Sequence, residues 1–243
     1  PEVKHRRRML VLDGCVQAAA TPTTNAAASR VLDHLGISLV TAPEAGCCGA
    51  VSYHLGAHDE GLAAMRRNID AWWPDIEAGA EAILSTASGC GATLADYGEL
   101  LAADPVYAAR AARVSELHRD LAEVLLQEDL APLARPGIKD SVAVHVPCTQ
   151  QHALGQPEAV RKLLSQQGFP IASTCDDHLC CGSAGTYSIL QSDTSDRLRQ
   201  RKLAALTGDD PSLIATANVG CQLHLGEQAR VPVRHWIELL DPG

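Results

Sequence analysis

The chain has 243 residues, 46% of them hydrophobic, with a formal net charge of −9 at pH 7. That size supports one large core or two of about 100–150 residues. The acidic balance gives no electrostatic footing for nucleic acid, because the basic run Lys4-His5-Arg6-Arg7-Arg8 reads as the solvated start of a strand. No apolar stretch approaches the roughly 20 residues of a membrane span.

In chain order, 8–12 reads as a buried strand ending at Asp13-Gly14-Cys15, followed by a helix over 22–35 that Thr21 caps, Pro22 starts and Gly36 stops. A second strand over 37–40 leads into Cys47-Cys48-Gly49. A helix over 58–72 carries Leu62, Met65 and Ile69 on one face, and Pro74 is expected to interrupt it. A third strand over 82–86 ends at Gly89-Cys90-Gly91, followed by a helix over 93–102, a weak strand near Arg113-Val114 and a helix over 116–127. The stretch 129–140, with Pro132, Pro136 and Gly137, reads as a linker.

The second half repeats the plan. A strand over 141–146 ends at Pro147-Cys148, a helix covers 157–167, and a strand over 170–173 leads into Cys180-Cys181-Gly182. A helix over 193–206 and a strand over 213–216 ending at Gly220-Cys221 follow, and 231–233 and 236–240 mirror the end of the first half. Strands alternating with helices imply mostly parallel sheets with right-handed crossovers. The expected fold is α/β, as two tandem pseudo-repeated domains, each a small mostly parallel sheet flanked by helices: 1–130, a linker over 131–140, and 141–243.

The cysteines carry the chemistry. Cys15, Cys47 and Cys48 recur 133 residues on as Cys148, Cys180 and Cys181, and Cys90 recurs 131 residues on as Cys221. Cys175 alone has no twin and reads as a plain thiol. Registered cysteines with fixed internal spacing read as ligand sets. The odd count, the vicinal pairs and the chain length argue against a secreted disulfide scaffold, and the apolar run after the arginines is stopped by Asp13-Gly14, unlike a signal peptide. A reducing cytoplasm fits.

Every cysteine of a set lies just past a strand's carboxyl end, where open α/β sheets bind ligands. Each quartet should therefore meet at one rim. Four thiolates stay close only around a cation, which leaves zinc or iron–sulfur. Zinc ribbons present C-x2-C pairs, absent here; adjacent cysteines suit a multinuclear cluster. Gly49, Gly91 and Gly182 let backbone amides approach its sulfides.

The pattern Cys-x31-Cys-Cys-Gly-x40-Cys, with 38 residues in the last spacer of the second copy, resembles the tandem CCG cysteine-rich domains found in heterodisulfide reductases, lactate-utilisation proteins and glycolate oxidase iron–sulfur subunits. The stretches Ala71-Trp72-Trp73-Pro74, Ser85-Thr86-Ala87-Ser88-Gly89-Cys90-Gly91, His178-Leu179-Cys180-Cys181-Gly182-Ser183-Ala184 and Val233-Arg234-His235-Trp236 resemble the glycolate oxidase subunits in particular.

The resemblance implies an electron-transfer role with iron–sulfur clusters, [4Fe–4S] or a variant, held by Cys15, Cys47, Cys48, Cys90, Cys148, Cys180, Cys181 and Cys221. It implies FAD only in partner subunits that oxidise glycolate to glyoxylate. It further implies an N-terminal ferredoxin-like domain outside this chain, a quinone-type acceptor, and a cytoplasmic location peripheral to the membrane's inner face. The sequence begins with Pro1 and has no ferredoxin-type cysteine run, so it is expected to be the C-terminal part of a longer polypeptide. In the heterodisulfide reductase relative a fifth cysteine follows by C-x2-C; here those places hold Thr93 and His224, and His224 is a possible iron ligand. The rival expectations are a thiol–disulfide reductase and a non-redox scaffold with empty or zinc-filled pockets.

Overall fold

The computed structural model describes residues 4–134 and 137–243. Pro136, counted above in the linker, and Pro1 lie outside the described residues.

In chain order the strands are β1 (Arg7–Leu12), β2 (Ile37–Thr41), β3 (Ile83–Ser85), β4 (His118–Asp120), β5 (Val142–His145), β6 (Leu213–Thr216) and β7 (Val233–His235). The helices are α1 (Val16–Ala20), α2 (Thr23–His34), α3 (Ala50–His54), α4 (His58–Glu77), α5 (Ser88–Leu100), α6 (Ala108–Leu117), α7 (Leu121–Leu125), α8 (Ala159–Gln166), α9 (Tyr187–Leu190), α10 (Ser192–Leu206) and α11 (Val219–Gly226). A four-stranded sheet runs β2-β1-β3-β4 and a three-stranded sheet runs β5-β6-β7. All pairings are parallel. The expected α/β architecture of two small parallel sheets flanked by helices is what the chain adopts.

Strand alternation divides the core into layers. Met9 and Val11 of β1 and Val142 and Val144 of β5 point into one shared cluster, filled by α2, α7, α8 and Trp236. Leu10 and Leu12 point the other way, onto α4, α5 and α6. Ala143 and Ile214 point outward onto the smaller cluster formed with Leu206 and Leu225. Each sheet thus shares one face with the other and covers the opposite face with its own helices.

Four elements depart from the sequence reading, each for a local reason. Pro74 does not interrupt its helix: α4 runs through it to Glu77, held by fully buried Trp72 on one side and by the Trp73 Nε1 bond to Glu77 at 2.9 Å across it. Arg113-Val114 is not a strand but lies in α6, where Ala111, Val114 and Leu117 bury one helical face. The helix expected over 116–127 shortens to α7, capped by Asp120 after β4. The strand expected over 170–173 reduces to one bridge between Val142 and Ile171. Pro170 has no amide to donate, and the Ser173 amide is taken by Asp209 Oδ2 at 2.8 Å, so the ladder cannot extend.

Candidate metal centre between the two sheets

Six of the eight registered cysteines follow the carboxyl ends of strands, while Cys180 and Cys181 follow the loop left where the expected strand shrinks to a single bridge. Cys15 follows β1 at the start of α1, and Cys148 follows β5 at the start of a π-helical turn, Thr149–Ala153. Cys90 and Cys221 lie in the first turns of α5 and α11. α5 begins earlier than the sequence suggested and α11 was not among the expected helices, so both cysteines ride on helical rather than loop backbone. A helix N-terminus presents free amides and the positive end of its dipole to an anionic ligand.

All eight registered cysteines line one cavity of about 850 Å³. The sequence led us to expect a rim for each quartet; the two rims face each other across a common space. None of the nine thiols is in a disulfide, and Cys175 is exposed and does not line the cavity. The two halves are stitched below it by the Ser88 amide to the Ala217 carbonyl at 2.9 Å, Ser88 Oγ to Thr149 Oγ1 at 2.8 Å, and His235 Nε2 donating to the Thr86 carbonyl at 2.7 Å. The cavity mouth is apolar, with exposed Val16, Val51, Leu55, Tyr187 and Leu190 among its lining residues.

Within each quartet the sulfurs interact. In the first, Cys15, Cys47, Cys48 and Cys90 form a continuous run of thiol contacts. Burial and then Cys47 push the Cys15 thiol up. Cys48 is drawn down by Cys47, but Cys90 and burial outweigh this and raise it to about 12. In the second quartet Cys181 Sγ lies 3.0 Å from Cys221 Sγ. Thiols of Cys148 and then Cys181 hold Cys180 well below the ordinary thiol range, which in turn pushes both of those neighbours up. Four neighbouring sulfurs cannot all ionise unless a cation offsets their repulsion.

Each Cys-Cys pair is followed by a glycine that the geometry requires. Gly49 has φ +89°, and a Cβ there would stand 2.6 Å from the Gly61 carbonyl oxygen; Gly182 has φ +92°, and a Cβ there would stand 2.5 Å from the Ser195 carbonyl oxygen. The turn aims each glycine amide at the sulfur two residues back, Gly49 to Cys47 at 3.4 Å and Gly182 to Cys180 at 3.3 Å. Asn218 Nδ2 reaches Cys221 Sγ at 3.4 Å. Asn68 clamps the first loop through the Gly46 amide and the Cys47 carbonyl, both at 2.9 Å, while Lys202 clamps the second through the Asp176 and Asp177 carbonyls, both at 3.1 Å.

His224 does not line the cavity; its Nε2 faces Ser195 Oγ at 3.1 Å, behind the Gly182 turn. Thr93 turns back onto the Gly89 carbonyl of its own helix at 3.2 Å. Sequence reasoning missed His145, which is fully buried; like His224 it does not line the cavity, but it binds Thr216 Oγ1 through Nδ1 at 2.8 Å and groups with Cys181 and Cys221 in the cavity wall. Burial, with Lys202 adding to it, lowers its pKa to about 3, so the ring is neutral. The available signal was a histidine closing an apolar strand where the first copy has Leu12. Gln17 and Gln150, each two residues after the first cysteine of its set, are buried as well, and Gln17 lines the cavity.

The sequence profile of the cysteine-rich domain family, CCG, matches residues 9–95 and 142–226. The chain is 54% identical over 241 residues to the glycolate oxidase iron-sulfur subunit of Escherichia coli (strain K12), covering 99% of this chain and 59% of that protein. It is 31% identical over 251 residues to the probable glycolate oxidase iron-sulfur subunit of Bacillus subtilis (strain 168), covering 97% and 54%. It is 26% identical over 239 residues to lactate utilization protein A of Exiguobacterium sp. (strain ATCC BAA-1283 / AT1b), covering 94% and 95%. The chain spans a little over half the length of the two glycolate oxidase relatives.

Proposed function

This chain belongs to the CCG cysteine-rich domain family, carrying two copies in tandem, and on that premise we propose that it holds iron–sulfur clusters within the iron–sulfur subunit of a glycolate- or lactate-type oxidase. The observation that carries the reading is the convergence of eight free thiols, four from each copy, on one cavity. The donor set fits such a cluster. Each quartet offers soft sulfur ligands, and amide donors from Gly49, Gly182 and Asn218 point at three of the sulfurs, the contacts that stabilise cluster-bound thiolates.

A bound cluster supplies one-electron redox chemistry. The ligands are Cys15, Cys47, Cys48 and Cys90 in the first copy, domain 1–130, and Cys148, Cys180, Cys181 and Cys221 in the second, domain 141–243. The chain itself orients these thiols on helix N-termini and on the loops past the strands, burying Cys48, Cys181 and Cys221 and leaving Cys15 and Cys148 exposed to the cavity mouth. Oxidation of a 2-hydroxy acid to a 2-oxo acid releases two electrons and two protons. In this reading a FAD-containing partner subunit performs that step, and this chain passes the electrons on singly, towards a quinone-type acceptor at a membrane surface. Among the described residues no helix is long and apolar enough to cross a membrane. The apolar mouth formed by Val16, Val51, Leu55 and Leu190 is where a redox partner would approach.

A second reading, direct reduction of a disulfide, draws on the shared cavity, which has room for a small molecule between the two sets. Anaerobic reconstitution with ferrous iron and sulfide separates these readings. Near-equal iron and acid-labile sulfide, with an electron paramagnetic resonance signal after reduction, supports cluster binding. Zinc without sulfide overturns it in favour of a scaffold. Turnover of a disulfide by the reconstituted chain favours the second reading.

A further inference from the structure

The two cysteine sets are not chemically equivalent. Leu12 stands three residues before Cys15 and packs into the outer core of the first half. His145 stands three residues before Cys148, in the same register. It is 2% exposed, and one of its ring nitrogens lies with Cys181 Sγ and Cys221 Sγ in a group whose members are all within 4.8 Å of one another. Its Nδ1 sits 2.8 Å from Thr216 Oγ1 on the neighbouring strand. An Nδ1–H donated to that hydroxyl leaves the Nε2 lone pair free, the arrangement in which histidines bind metals with a fixed ring orientation. The other histidine of this region, His224, is committed to Ser195.

From this juxtaposition we propose that His145 is a nitrogen ligand of the metal centre at the second cysteine set, so that the second centre is bound by nitrogen and sulfur and the first by sulfur alone. The inference rests on the cluster reading given above and specifies one of its sites. Cys181 and Cys221, 3.0 Å apart, supply sulfurs beside the imidazole.

A consequence follows for electron flow. A neutral imidazole at this place adds no negative charge to the centre, whereas a thiolate there would add one and lower its reduction potential. A second difference between the two sets is one of charge. Lys202 is buried beside the second set, its Nζ on the Asp176 and Asp177 carbonyls that lead into the Cys180-Cys181 loop, whereas the equivalent clamp on the first loop is neutral Asn68. The buried ammonium would make a centre held by the second set the better electron acceptor of the two.

The test uses the 243-residue chain with histidine-selective ¹⁵N labelling, reconstituted anaerobically with ferrous iron and sulfide and reduced. Pulsed electron paramagnetic resonance is recorded in a Cys47→Ser/Cys48→Ser background, so that the signal comes from the second set. The expected result is a strong ¹⁴N coupling that changes to the ¹⁵N pattern on labelling. It disappears in His145→Leu, which installs the residue the first copy carries there, and persists in His224→Leu. His145→Cys, which replaces the imidazole with a thiolate, keeps the iron, loses the nitrogen coupling and moves the midpoint potential downward. Iron and sulfide bound with no strongly coupled nitrogen, or a coupling that survives in His145→Leu, overturns the assignment and leaves the cluster reading standing. A chain that takes up neither iron nor sulfide overturns both. Should His145→Leu fail to fold, the labelled chain with intact His145 still decides whether any histidine is bound.

Discussion

Replacing Gly182 with alanine separates two costs that the fold places at one position. The first is conformational: φ is +92°, a left-handed region that costs an L-residue about 1–2 kcal/mol. The second is steric. The new Cβ would stand 2.5 Å from the Ser195 carbonyl oxygen, whereas ordinary contact begins near 3.4 Å, so the loop and α10 must part by about 0.9 Å. Forcing an extra methyl into a filled site of this kind costs about 1–3 kcal/mol. Gly182→Ala should therefore lose about 2–5 kcal/mol, or on the order of 5–20 °C in Tm for a chain of this size. Gly168, with φ +82° and nothing within 4 Å of a Cβ, provides the control, because Gly168→Ala incurs only the conformational cost. Parting the loop also withdraws the Gly182 amide from Cys180 Sγ, so the iron bound by the second set should fall with it. Urea or thermal unfolding, followed by iron analysis of both variants, gives the comparison. If Gly182→Ala is no less stable than Gly168→Ala and keeps its iron, the steric account of the Cys-Cys-Gly turn is wrong.

Two further outcomes are expected. His235 is held near pKa 4, chiefly by burial, and His118 is likewise held near 4 by burial and then by the charge of Arg119. Both folded values lie below the unfolded one, so their stability contributions are complete above about pH 6.5 and are lost as pH falls towards about 4. Burial raises Asp120 to about 6, and its contribution runs the other way, declining as pH rises from about 4 to 6. His235→Gln should flatten the acid limb by one proton, about 1.4 kcal/mol per pH unit inside that window, in urea titrations between pH 4.5 and 7; an unchanged limb refutes this. Lys202→Met should strip the hydrogen bonds from two carbonyls, costing about 1–3 kcal/mol, and should move the second set's midpoint potential downward, while Lys202→Arg preserves it. A redox titration with no shift in Lys202→Met would show that its charge does not reach the centre.

The apolar periods of the sequence are local quantities, and what depends on them was legible before any coordinates. Buried strands at 8–12 and 213–216, an amphipathic helix at 58–72, and cysteines placed just past strand ends all follow from spacing and turn chemistry. The repeat of eight cysteines in register likewise required only counting. Where local and tertiary preferences compete, the sequence misled. Pro74 is tolerated because buried Trp72 and the Trp73–Glu77 bond hold the helix on both sides of it. The strand expected over 170–173 lost its ladder to a missing amide and a competing aspartate. The alanine-rich run containing Arg113-Val114 had a helical face to bury.

The tertiary structure alone decided how the two copies face each other. A strand's register fixes which side chains point inward, but not which sheet they meet; that depends on Met9, Val11, Val142 and Val144 filling one shared core. That packing turns two separate rims into a single cavity, and it brings His145, a residue with no cysteine-like spacing to betray it, beside Cys181 and Cys221. Periodicity is written along the chain, whereas the meeting of two sheets is a many-body outcome of shape and burial, and the pairing of a histidine with sulfurs 36 and 76 positions further along the chain belongs to the second kind.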